Sequence, residues 1–259
     1  MTHKATILIA QVIITIASLL YASDSNSQID VTNLFAPQYI IGNSCESDTL
    51  DKFKIDRSDL LGYIGPNFQR YSIYIDSVKQ TSSNRYSIYC RVKRFSKICD
   101  LTLEATEALR NSKKYKFKPH GIDIHVTLDI HGIESNCDDS GEIHGKAEWY
   151  LFKPENGTPF FSSNFGIETC SDGSSNLLFK GQWTNLNSNS KRKLRFGWAR
   201  IPDSQNLDCG AGEFIPCLDA DKYGWKNYRD YYQKCISTDR ATSDECNKLK
   251  EQDAWWKKP

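Results

Sequence analysis

The chain has 259 residues, with 33 Lys+Arg against 32 Asp+Glu and a formal net charge of +1; hydrophobic residues make up 39%, aromatics 12% and charged residues 25%. That composition is globular rather than collagen-like or disordered. The near-neutral charge argues against a general nucleic-acid binder, which needs many cations to neutralise phosphates.

Residues 1–22 read as a signal peptide: Lys4 is the positive start, Ala5 to Ala22 is mostly apolar, and Leu20-Tyr21-Ala22 is a small-residue cleavage site before the polar stretch Ser23 to Gln28. Cleavage would leave no stable membrane anchor, and the mature protein is expected to be secreted or periplasmic. Nine cysteines follow, Cys45, Cys90, Cys99, Cys137, Cys170, Cys209, Cys217, Cys235 and Cys246. In an oxidising compartment disulfides are the default. Zinc sulfur sites are disfavoured because no pair has CxxC spacing. The odd number leaves at least one thiol out of intrachain pairing. The local pairs Cys209–Cys217 and Cys235–Cys246 are the disulfide candidates.

Residues 23–66 form an N-terminal segment leading into the sheet, and 67–202 form a β-rich domain. Tyr71 to Val78 alternates and is rich in β-formers, Gln80 to Asn84 is turn chemistry, and Arg85 to Phe95 alternates again, a hairpin. Leu101 to Leu109 is compatible with strand or helix. In Ile122 to His131 the even residues Ile122, Ile124, Val126, Leu128 and Ile130 share one face, while Asp123, His125, Thr127, Asp129 and His131 share the other. Ser135 to Gly141 is a turn, and Glu142 to Phe152 alternates in the same manner. A turn centred near Cys137 and Asp138 sets His131 against His144, Asp129 against Lys146 and Thr127 against Glu148. The same register joins Leu128 with Ala147 and Val126 with Trp149, so both faces agree. Asn176 to Trp183 and Lys193 to Trp198 form a last hairpin. The fold class is therefore mainly β, an antiparallel β-sandwich or barrel with a short α-helical C-terminal appendage.

Residues 203–259 form a loop and helical region packed on the sheet. Tyr228, Tyr231 and Tyr232 share a helical face, and Ser243, followed by Asp244 and Glu245, reads as an N-cap. Charge is segregated: residues 85–118 hold ten Lys/Arg against three acids, 119–148 one Lys against seven acids, 180–200 six Lys/Arg and no acid, 201–221 five acids and no base. Adjacent segments either neutralise each other or form opposed patches that steer a charged partner.

The sharpest chemical feature is the polar face of the 123–148 hairpin. His131 and His144 with Asp129 or Glu142 could hold a divalent ion, against an ordinary solvated face with pairs such as Asp129–Lys146. Asp138-Asp139 resembles half of a calcium loop but lacks its spacing. Asp208 and Glu213, on a loop closed by Cys209 and Cys217, and the terminal pair Trp255 and Trp256 are the candidate binding residues. Phe179-x-Gly-x-Trp183 is motif-like without an attached activity. GxSxG, HExxH and kinase-type glycine loops are missing. No cofactor is implied. The leading expectation is an exported, disulfide-stabilised, non-catalytic binding protein for a protein or glycan ligand, such as a neutraliser of a secreted toxin or cell-wall hydrolase. The alternative is a secreted carboxylate- or metal-dependent hydrolase with its site on the 123–148 hairpin.

Overall fold

The computed structural model describes residues 31–259 apart from 38, 44–49, 55–58, 116–119, 164–174, 212–213, 237–241 and 258–259. The segment read as a signal peptide lies outside the described residues, as do Cys45, Cys170 and Glu213. A short helix α1 (Val31–Phe35) is followed by a two-stranded ribbon, β1 (Tyr39–Asn43) and β2 (Leu50–Lys54). Eight antiparallel strands then run up and down in chain order: β3 (Asp59–Ile64), β4 (Gln69–Ser82), β5 (Arg85–Arg94), β6 (Lys97–Lys114), β7 (Gly121–Ser135), β8 (Gly141–Pro154), β10 (Asn176–Asn185) and β11 (Lys191–Trp198). The short β9 (Phe160–Phe161) adds to β8.

Because β10 pairs with β8 and β11 returns to β3, the sheet closes on itself as a barrel, not a sandwich. Closure removes the exposed strand edges that an open sheet must protect.

Alternation builds the wall. On β7 the even-numbered residues from Ile124 to Ile130 point into the core and the intervening polar ones face out. The β7–β8 register is His131 with His144, Asp129 with Lys146 and Val126 with Trp149, the register that satisfies both faces. Apolar-in, polar-out is the reverse of a lipid-facing barrel. Among the described residues no helix is long and apolar enough to cross a membrane. Residues 101–109 are strand; a bulge between Glu107 and Leu109 shifts the phase, so Leu101, Leu103 and Ala105 are buried while Leu109 is exposed. That phase break blurs the period-2 signal in the sequence.

An eight-stranded barrel is narrow enough for side chains to fill, and this one is filled. Tyr71, Ile73, Val92, Val126, Leu128, Trp149, Phe179 and Trp183 are fully buried. Phe35 of α1 packs 4.4 Å from the Trp149 ring and 5.2 Å from Tyr86. Phe179-x-Gly-x-Trp183 faces inward and packs the barrel at the β8–β10 seam. The Phe179 ring stacks on Phe196 at 4.3 Å and lies over the facing pair Gly145 and Gly181, where any side chain would collide with it.

The end of the barrel holds a buried polar network. Glu134, in phase with the inward face of β7, accepts from the Tyr71 hydroxyl at 2.7 Å, the Trp183 indole at 3.0 Å and Arg94 at 3.0 Å. Arg94 also donates to the Asp139 carbonyl at 2.7 Å, and its guanidinium lies 4.9 Å from the Trp183 ring centre.

The C-terminal region packs on the outside of β3 and β4. Leu61 and Tyr63, the outward residues of β3, join Ile201, Leu207, Phe214, Trp225 and Tyr228 in a second core. Gly224, at φ 94°, ends a 3-10 turn (Leu218–Tyr223), and α2 (Lys226–Tyr231) and α3 (Ser243–Asp253) follow. Arg70 clamps Asp253 with two hydrogen bonds of 2.7 and 2.9 Å. The α3 N-cap is Thr242 rather than Ser243: its hydroxyl accepts from the Glu245 amide while Glu245 reaches back to the Thr242 amide, a capping box. Thr242→Ala is expected to cost about 1 kcal/mol, read as a lower midpoint in denaturant unfolding.

Among the described residues three disulfides join Cys99–Cys137, Cys209–Cys217 and Cys235–Cys246. Among the described residues Cys90 is the free thiol; it is buried inside the barrel, and that burial pushes its pKa up, which makes it an inert core side chain.

Candidate functional site on the outer barrel wall

With the interior filled, a band of chemistry-bearing side chains stands accessible on the outer wall of β7, β8, β10 and β11. The register places them in rows. Asp129, Lys146, Lys180 and Arg195 form one; Glu104 of β6, His131, His144, Gln182 and Lys193 form the next.

In the first row Lys146 and Lys180 oppose each other directly across the β8–β10 seam. Like charges so placed are destabilising unless something offsets them. Asp129 flanks Lys146 at 2.5 Å, and Asp203 lies 3.6 Å from Lys180. Asp203 also approaches Arg195 at 2.7 Å and Lys193 at 3.5 Å. The Arg195 hydrogen bond, with the charges of its neighbours, holds the Asp203 carboxyl below its ordinary pKa. Beside the two lysines opens a cleft of about 510 Å³. Leu178, Ile201 and Pro202 supply apolar lining, Thr127 and Ser175 hydroxyls, Glu148 an acid, and Lys146, Lys180 and Arg200 three cations, each with a carboxylate at its side, Asp129, Asp203 and Asp208 respectively. The volume lies in the range of ligand-sized clefts. Among the described residues no aromatic ring lines it. Lys180 and Arg200 bound the acid-free run 180–200, the sequence signal that points to them, whereas nothing local to Ile201 marks it.

In the second row the His131 and His144 rings stack at 4.4 Å. The same Glu142 oxygen, Oε1, lies 2.9 Å from His131 Nε2 and 3.0 Å from His144 Nε2. Hydrogen bonds from the two imidazoles, His131 first, hold the Glu142 carboxyl below its ordinary pKa. The sequence offered Asp129 or Glu142 as the carboxylate of this group. Asp129 sits two residues along β7 and is engaged by Lys146, so Glu142 takes the place and Asp129 does not converge with the histidines.

The other expected site residues fall elsewhere. Asp208 is structural: its carboxylate accepts from the Gly210 and Ile215 amides and from Arg200 at 3.2 Å, bracing the loop closed by Cys209–Cys217. Trp255 is not an exposed anchor. It is buried at 2% exposure because the C-terminal segment folds back on β4 and β5. Trp256 is half-buried, stacks on Tyr74 at 5.9 Å, and its carbonyl accepts from Arg91 at 3.0 Å. Asp138 and Asp139 pair with Lys97 at 3.7 and 3.1 Å. Together with Arg94–Glu134, this shows the basic 85–118 and acidic 119–148 segments neutralising each other in part.

A second cleft, of about 330 Å³, is lined by Lys113, Asp123, His125, Tyr150, Ser162 and Ser163. His125 stacks on the Tyr150 ring at 4.6 Å, and burial raises the Asp123 carboxyl above its ordinary pKa.

No family model, curated protein or solved structure matches the chain.

Proposed function

We propose that the protein is a disulfide-stabilised, non-catalytic binding protein that grips an acidic segment of a partner protein in the cleft between Lys146, Lys180 and Arg200. The observation that carries this reading is the lysine pair set face to face beside an open cleft on a barrel whose interior is already filled. An anionic side chain entering between the two ammonium groups would share them with Asp129 and Asp203, and the apolar lining from Leu178, Ile201 and Pro202 suits the flanking residues of a peptide. A protein partner is preferred to a glycan because sugar rings are commonly held by stacking on aromatics, and among the described residues none lines this cleft. Three disulfides fit an oxidising compartment outside the cytosol. Export, and with it the neutralisation of a secreted toxin or cell-wall hydrolase, is the form of the function consistent with that chemistry.

The test is capture from the secreted fraction of the protein's own cells, wild type beside Lys146→Glu/Lys180→Glu. Both lysines are more than half exposed, so the double variant should fold. A like charge placed against a charged partner costs several kcal/mol, and every 1.4 kcal/mol is a tenfold change in affinity. The captured partner is therefore expected to be lost from the variant, and to be released from the wild type by salt. Equal capture by both proteins would refute the assignment of the cleft. The hydrolase alternative would place its chemistry at Asp123 and His125 in the second cleft, and predicts a hydrolytic activity that Asp123→Asn abolishes.

A further inference from the structure

We infer that His131, Glu142 and His144 form a binding site for one divalent transition-metal ion of the zinc class, independent of the cleft. Two of the ligands, Glu142 and His144, sit two residues apart on β8 and so project from the same face of one strand. The third, His131, is the direct cross-strand neighbour of His144 on β7. The backbone ladder thus fixes the three positions before any ion arrives, and strand-borne sites are held more precisely than loop-borne ones.

One ligand atom from each side chain lies within 4.8 Å of the other two. Two of these separations are short, 2.9 and 3.0 Å from the shared Glu142 oxygen. Zinc bonds of about 2.0–2.1 Å in a tetrahedral arrangement put ligand atoms roughly 3.3 Å apart. An ion therefore needs these side chains to part by only a few tenths of an ångström at those two contacts. The donor set is selective. Two imidazole nitrogens with one carboxylate suit zinc, copper or nickel, whereas calcium and magnesium take all-oxygen shells.

Access is open. His131, Glu142 and His144 side chains are 44, 36 and 57% exposed, so an ion can enter without unfolding. Glu104 and Gln182 stand at the same level on the next strands outward, opposite His131 and His144, and the Glu104 carboxylate accepts from the Ser87 hydroxyl. The other convergent group, Cys99, Glu134 and Cys137, is not a competing site, because its two sulfurs form a disulfide and Glu134 is committed to Arg94.

The experiment is isothermal titration of ZnCl₂ into the full-length protein, freed of any polyhistidine tag and chelator, with equilibrium dialysis and elemental analysis for stoichiometry. One Zn²⁺ per chain is expected. His131→Ala and His144→Ala should each weaken binding by more than the roughly 10–100-fold typical of losing a mere supporting partner. Glu142→Gln should weaken it, and His120→Ala, an exposed histidine off the site, should leave it unchanged. Circular dichroism confirms that the variants fold. No stoichiometric uptake by the wild type, or uptake unaltered in both histidine variants, overturns the proposal.

Discussion

Glu134→Ala is expected to destabilise the protein by roughly 3–5 kcal/mol, the cost of leaving one member of a buried ion pair behind. The carboxylate is 1% exposed and collects three donors, the Tyr71 hydroxyl, the Trp183 indole and the Arg94 guanidinium. Removing it strands all three in a closed barrel end where little water can replace it, and an unmade hydrogen bond in such a place costs the full desolvation of each group. Arg94 keeps the Asp139 carbonyl, a long contact of 4.0 Å to the Cys99 sulfur and its stacking on Trp183, none of which carries a compensating charge. Urea unfolding followed by tryptophan fluorescence measures the loss, with Trp183 beside the change as reporter. The double variant Arg94→Met/Glu134→Leu should recover the part of the loss due to the unpaired cation, while the Tyr71 hydroxyl and the Trp183 indole stay without their acceptor. A single-variant loss below about 1 kcal/mol would show that the carboxylate does not hold the cation in place.

Removing the Cys99–Cys137 disulfide is expected to cost about 4 kcal/mol, more than removing either of the other two. The bridge spans 38 residues of sequence, against 8 and 11 for Cys209–Cys217 and Cys235–Cys246. Cross-linking a longer loop removes more entropy from the unfolded chain, and the loop-closure relation gives roughly 4 kcal/mol for the long bridge and about 2.5–3 for the short ones. It also ties the start of β6 to the turn between β7 and β8, beside the Arg94–Glu134 pair. Its loss should therefore act on the same end of the barrel as the carboxylate. Thermal unfolding of Cys99→Ala/Cys137→Ala, Cys209→Ala/Cys217→Ala and Cys235→Ala/Cys246→Ala ranks the three. A larger loss from either short bridge would contradict this ordering.

Much of the wall was legible from residues alone. Ile122 to His131 and Glu142 to Phe152 alternate cleanly, and only one register puts both apolar sets on the same side, so the His131–His144 contact could be placed without coordinates. Where alternation slips, as at the Glu107–Leu109 bulge, the reading blurred. Glu134 continues the even-numbered inward series of β7. A charge in phase with a core face marks an inward-pointing polar residue, but it does not name its partners. The choice between Asp129 and Glu142 could not be made from spacing, because both share a face with the histidines; it turned on Lys146, which engages Asp129.

Local pattern, then, determined strands, hairpins, their faces and the chemistry each face carries, because the two-residue period of a strand is written in consecutive side chains. Closure of β8 on β10 and β11 on β3, the filling of the barrel by Phe35, the burial of Trp255 and the facing of Lys146 and Lys180 were decided only in three dimensions. These contacts join residues far apart in sequence, and the hydrophobic burial that drives them is non-directional, so no short stretch of chain encodes its partner.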